Sequence, residues 1–390
     1  MMAVFAMVIF RGEGGVLQSS AIYLSGLLPT LLASPAVGWL VDRVERRKLM
    51  VASELISGVI IAGLFIVEDF VWICVLLALQ AVSIAVLSPA RQAVVPQLVD
   101  KQDLTRANAF LQQLNGIVKI IAPMLAGALL AVINPHQAIL INVATFGISA
   151  FILSRLPVLP ALQGKTSDIP SEAVPAQGNL NLLSRVPGLR VLFISMFFSV
   201  VVIIGFDVTG AVYVRDILQG DESVMGLLIG LVGAGTLAVG TFLMLKKGQR
   251  NLWRDVLLGL GLLACIPLAL ASAPLLGNVR WMRWLVEAGS LLGGVGNGLL
   301  VIQSAVLLQT LTPAQWLGRA GGLMQSVVVA GQIAGILLTP LLVPGLVNME
   351  TYFLLSTVAL IFVTGYSMLS VRRQQPKIAN ISPISTQEVQ

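Results

Sequence analysis

Asp42 and Arg43 follow Gly38 by four and five residues, and Glu45, Arg46, Arg47 and Lys48 come directly behind them. Six charges therefore fall in the seven residues 42–48 of a chain that is only 11% charged. Such a set can pair internally, place a carboxylate against the positive end of a helix dipole, or anchor a loop on one side of a membrane. Three further charges, Glu54, Lys119 and Asp207, lie within apolar stretches. A charge there is costly and is expected to face a cavity or a partner. Lys119 can hold an anionic group of a substrate or complete a structural ion pair. Asp207 can carry a proton, or can be hydrated near one end of its stretch. Glu54 can pair with the arginines of the charged loop or carry a proton. The amides Gln112, Gln113, Asn115, Gln303, Gln309, Gln325 and Gln332 can line a cavity or bond helix to helix. Covalent chemistry has little to work with. His136 is the single histidine, and Cys74 and Cys265 are far apart within apolar runs. Neither a Ser-His-Asp set, a histidine metal cluster nor a disulfide framework follows, and no cofactor or metal is expected.

The elements that hold these residues are read from hydropathy. Of the 390 residues, 57% are hydrophobic, and the mean hydropathy is +0.92. Soluble domains carry about 25% charged residues, so the chain is expected to be a polytopic membrane protein. The net charge of +6 comes from short basic clusters between apolar runs, with no basic face, so nucleic acid is not an expected partner. Apolar runs of spanning length are placed near 19–41, 49–67, 70–88, 108–133, 138–154, 190–214, 224–245, 255–274, 285–308, 320–343 and 351–371. The first ten residues, MMAVFAMVIF, would reach about 15 Å as a helix, roughly half a bilayer core. They are read as the outer half of a first span, truncated or preceded by a misplaced start.

Orientation follows from the basic residues. Arg11, Arg215, Arg280 and Arg283 fall on one side and Lys119 inside a span; all but these five of the 24 lie on the other side. The charge-rich loops and the C-terminus are therefore expected in the cytoplasm. Trp39, Trp72, Trp253, Trp281 and Trp284 fall near predicted span ends, where the ring suits the interface. The longest connection, 155–189, is rich in Pro, Ser, Gly and Gln. The expected organisation is an N-terminal six-helix bundle (1–154, first helix partial), a cytoplasmic linker (155–189), a C-terminal six-helix bundle (190–372) and a disordered cytoplasmic tail (373–390). Two six-span halves are the layout of a repeat-built secondary transporter with its site near the midplane.

Gly38, then Asp42-Arg43, then Arg46-Arg47 resembles the loop signature of the major facilitator superfamily, with Glu45 where that signature usually has glycine. The resemblance implies a conformational latch made of Gly38, Asp42, Arg43, Arg46 and Arg47, with Glu54 nearby. "LSPARQAVVPQLVDKQDLTRANAF", Leu87 to Phe110, is similar to the loop after span 4 of macrolide-efflux and enterobactin-exporter types. Ala122-Pro123 and Ala126-Gly127 resemble the proline-glycine motif of drug antiporters, which implies a kink at Pro123 and close packing at Gly127. "GGVGNG", Gly293 to Gly298, lies within a span and follows no strand, so helix packing is expected there rather than a phosphate loop. Gly226/Gly230, Gly289/Gly293 and Gly331/Gly335 have the same small-residue spacing.

The resulting expectation is an all-α major facilitator fold in the bacterial inner membrane, monomeric and surrounded by lipid. It would export an amphipathic small organic molecule, drug- or siderophore-like, by alternating access in exchange for protons. Lys119, Asp207, Gln112, Asn115, Gln303 and Gln325 are the substrate or coupling candidates. A lysophospholipid transporter on the same fold is the alternative, with Lys119 meeting a phosphate. A non-transporting sensor or assembly factor stands beside it if span 1 is incomplete. A membrane-embedded enzyme would need clustered acids, histidines or a nucleophile near one face, and the lone His136 argues against it.

Overall fold

In the computed structural model, residues 2–12, 14–67, 69–98, 132–157, 188–245, 251–312 and 316–379 are described, with separate helical positions between 111 and 130. Among them there is no β-strand. The helices are α1 (Met2–Phe5, continued as a π-helical turn Ala6–Arg11), α2 (Val16–Arg43), α3 (Arg46–Gly63), α4 (Phe70–Leu98) and α5 (Pro135–Ser154). Then come α6 (Leu189–Asp216), α7 (Glu222–Leu245), α8 (Leu252–Leu263), α9 (Cys265–Ser272), α10 (Val279–Leu311), α11 (Leu317–Leu342) and α12 (Met349–Ala379). Nine helical segments among the described residues are long and apolar enough to cross a membrane. The chain is thus a multi-pass membrane protein.

Two compact units divide the chain, one of residues 1–170 with 220–226 and one of 171–219 with 227–390. In the first, α3 packs on α4 and α5, and α2 on α4. The buried positions of α3 are Arg46, Leu49, Met50, Ser53, Glu54, Ser57, Gly58 and Ile61, spaced three and four apart. Its Leu55, Ile56 and Val59 are exposed. Small and polar residues inward with aliphatic ones outward is the pattern of a helix solvated by lipid. Ser53 Oγ donates to the Ser83 carbonyl at 2.6 Å and Ser57 Oγ to Ser83 Oγ at 3.0 Å, clamping α3 to α4. Leu114, Val118, Ile121 and Leu125 are exposed at the same spacing on the helical positions after 110.

In the second unit, α10 packs against α8, α9 and α11, and α6 against α11 and α12. Glycines set how closely α10 is approached. A Cβ at Gly294 would strike the Val232 carbonyl of α7, and one at Gly296 would meet the Gly259 carbonyl of α8 at 2.6 Å. The GGVGNG stretch therefore packs helices on two faces, as expected of it. Gly289, Gly293, Gly331 and Gly335 also sit against neighbouring helices. Ser195 Oγ lies 3.0 Å from Ser367 Oγ, and Thr339 Oγ1 3.0 Å from Tyr352 Oη, joining α6 and α11 to α12.

Three sequence expectations change. The span placed at 255–274 is two helices broken at Ala264, because Pro267 has no N–H to give to the Leu263 carbonyl. Trp253 is buried rather than interfacial, with its ring against Gly188. Helix α12 continues to Ala379, past the expected start of a disordered tail at 373 and across Pro376. The linker residues 158–187 and the tail residues 380–390 lie outside the described residues.

Candidate functional site

The charged loop is built where α2 ends and α3 begins. Gly38 and Asp42 occupy the last two turns of α2, although the surroundings of these two residues lie outside what is described. Val44 is extended, and Glu45 is the N-cap of α3 with φ −54° and ψ 121°. This backbone requires no positive φ, so glutamate fits where the family signature has glycine. The Glu45 carboxylate pairs with Lys48 Nζ at 2.9 Å and lies 3.8 Å from Arg47 Nε. Being at the helix N-terminus, it also sits where a negative charge is favoured. Arg47 Nη1 donates to the Leu156 carbonyl at 2.9 Å, tying the start of α3 to the chain just beyond α5. Arg46 is buried and Arg43 exposed. The whole turn rests on a core of Val37, Leu49, Met50, Val86, Ala90 and Val94 from α2, α3 and α4.

Glu54 is 7% exposed, on the inner face of α3. The expected pairing with the loop arginines is not formed among the described residues. Eight residues of helix, about 12 Å, separate Glu54 from Arg46.

The second group of residues surrounds Asp207 on α6. A cavity of about 60 Å³ is lined by Val202, Ile203, Phe206 and Asp207 of α6, Ile229 and Val232 of α7, Leu263 of α8, Ile266 and Pro267 of α9, and Asn297 of α10. The break at Ala264 places Leu263 and Pro267 on its wall. Asp207 is half-buried and forms no hydrogen bond or ion pair among the described residues. Asn297 Nδ2 donates weakly to Thr236 Oγ1 at 3.4 Å, and that hydroxyl lies 3.0 Å from the Gly294 carbonyl, to which it donates. The cavity has room for a few waters, far below the roughly 300–1,000 Å³ of a drug-sized site. It can hold a proton carrier and its hydration, but not a whole amphipathic cargo.

The remaining candidates disperse. Gln303 is buried on α10 and its Nε2 donates to Asp255 Oδ2 at 2.9 Å, a bond between α10 and the first turn of α8. Gln325 is exposed on α11. Lys119, Gln112, Asn115, Pro123 and Gly127 lie outside the described residues. His136 meets Phe65 edge-on, with ring centroids 5.6 Å apart. No group of three or more His, Cys, Asp or Glu among the described residues could hold a metal ion. Asn297 and Asp255 were missed in the sequence. Asn297 was hidden in a run of glycines, and Asp255 stands at the first position of the span placed at 255–274. A proline after Cys265 was the available signal for the break that shapes the cavity.

Comparison with known proteins gives a family model described as Major Facilitator Superfamily matching residues 1–336. An uncharacterised MFS-type transporter of Bacillus subtilis, YfiS, is 25% identical over 340 residues, 86% of this chain and 80% of that protein. Macrolide efflux protein A of Streptococcus pyogenes is 32% identical over 153 residues. That segment is 37% of this chain and 38% of the relative. The multidrug efflux pump Tap of Mycobacterium bovis is 26% identical over 163 residues, 39% of each chain. Among solved structures, the nucleoside transporter NupG superposes with a TM-score of 0.72 at 12% identity, covering 95% of this chain and 94% of that one. A bacterial homologue of the iron transporter ferroportin gives 0.68 at 20% identity, covering 94% and 92%. At these identities the structural likenesses show the fold alone.

Proposed function

Because the chain belongs to the major facilitator superfamily, we propose that it exports an amphipathic small organic molecule across the bacterial inner membrane, by alternating access and in exchange for protons. The observation that carries the export reading is the 32% identity to macrolide efflux protein A. In this reading the two six-helix halves, 1–154 and 190–372, rock about a central site within a monomer whose C-terminus is cytoplasmic. Asp42 and the arginines after it bias the state closed to the cytoplasm, and Asp207 exchanges the coupling proton. The cavity supports that last assignment. It brings one carboxyl group into apolar surroundings beside a single amide, without a cationic partner among the described residues.

Proteoliposomes with an imposed pH gradient test the proposal. A labelled macrolide should move against its own gradient when protons run the other way, and a labelled lysophospholipid should not. Export of the lysolipid alone would transfer the protein to the lipid-transporter class. In the same assay Asp42→Asn should slow macrolide transport about two- to fivefold, the effect of losing a charge worth about 0.3–1 kcal/mol at a helix end. Binding of the macrolide at equilibrium should be nearly unchanged. Wild-type transport rates in this variant would remove the latch.

A further inference from the structure

We propose that the groove between α8 and α12, in the second unit, is a binding site for an anionic phospholipid, separate from any transported cargo. The groove has a volume of about 380 Å³ and is lined by Asn251, Trp253, Arg254, Leu257 and Leu258 on one side. Thr364, Met368, Val371 and Arg372 line the other. The spacing explains its two characters. Residues 254, 257 and 258 share one face of α8, and 364, 368, 371 and 372 share one face of α12. Both arginines lie at the membrane-boundary ends of their helices, in the first turn of α8 and near the end of the spanning segment of α12. Eight residues from Arg372 to Thr364 carry the groove about 12 Å along the helix. Leu258 and Met368 remain exposed on it. A charged rim over an apolar floor of that length matches a headgroup phosphate over the upper part of an acyl chain.

Charge selects the kind of lipid. Arg254 and Arg372 are exposed and form no ion pair among the described residues. Asp255, the acid of the same turn, is 5% exposed and takes its hydrogen bond from Gln303 on the far side. Arg373, also exposed, adjoins Arg372. Basic pockets between membrane helices attract anionic headgroups, each basic residue near the surface contributing about 1 kcal/mol. Guanidinium forks also suit phosphate oxygens better than an ammonium does.

The test uses the full chain purified in detergent. Native mass spectrometry would count bound lipid, and the thermal unfolding midpoint would be read with phosphatidylglycerol, phosphatidylethanolamine or inorganic phosphate added. Phosphatidylglycerol should be retained and raise the midpoint, while the zwitterionic lipid and phosphate alone should not. Arg254→Gln or Arg372→Gln should each weaken phosphatidylglycerol binding about fivefold, and the double variant about thirtyfold. Arg280→Gln, on another part of the same unit, should leave it unchanged. If the double variant does not fold, Met368→Trp keeps both arginines while filling the apolar floor, and should lower lipid retention by itself. Equal retention of the two phospholipids, equal stabilisation by phosphate alone, or undiminished retention in the double or Met368→Trp variant would overturn the proposal.

Discussion

Asp207→Asn is expected to abolish export against a gradient while leaving downhill movement and equilibrium exchange of the same substrate in place. The substitution keeps the shape of the side chain and the packing of Val202, Phe206 and Ile266 around it. It removes only the capacity to take up and release a proton. Coupling is a free energy shared between two ligands, and by reciprocity a proton that alters substrate affinity is itself held differently when substrate is bound. Typical couplings of 1–3 kcal/mol change affinity about 5- to 150-fold. In wild-type protein, substrate affinity measured across the pH range should show a dependence within that span, and in Asp207→Asn it should flatten. The readout separates coupling from folding, because a misfolded variant would lose exchange as well. Proton-driven accumulation by Asp207→Asn at wild-type levels would show that another group carries the proton. Glu54, buried on the inner face of α3, would then be the next residue to replace.

What could be read from the sequence divides along physical lines. Membrane spans are long apolar runs between punctuated charges, so α4, α6, α7 and α12 stood out directly. So did Asp42-Arg43 with Arg46-Arg47, because fixed spacing in a charge-poor chain is a strong signal. Packing partners are a different matter. Gln303 was a polar position with two equal readings until Asp255, 48 residues away, was found as its partner. Nothing local in either stretch announces that pair. Asn297 was hidden for a related reason. Its glycine neighbours reported close helix approach correctly, and a polar residue among them was absorbed into the same explanation. Glu45 shows the converse, since a departure from a family pattern matters only if the backbone there needs glycine, and φ at Glu45 is −54°.

The same reasoning about close approach predicts that, of two glycine-to-alanine changes on membrane helices, one destabilises and the other does not. In Gly296→Ala the new methyl meets the main chain of α8 at the Leu263 nitrogen and the Gly259 carbonyl, and neither can rotate away. The helices must part, and with them the bed on which Gly289, Gly293 and Asn297 are held. Overpacking of this kind costs about 1–3 kcal/mol, and backbone rather than side-chain contact argues for the upper end of that range. Gly321→Ala, on α11, places its methyl where nothing lies within 4 Å. There the change removes the helix penalty of glycine, about 1 kcal/mol, and should stabilise. Thermal unfolding of the two variants in one detergent should move the midpoint down for Gly296→Ala and up or not at all for Gly321→Ala. Displacement of α10 would also disturb the Asp207 cavity through Asn297, so proton-driven export should fall in Gly296→Ala and persist in Gly321→Ala. Equal stability of the two variants would show that α10 and α8 have room to adjust, and that the glycines do not set the helix spacing.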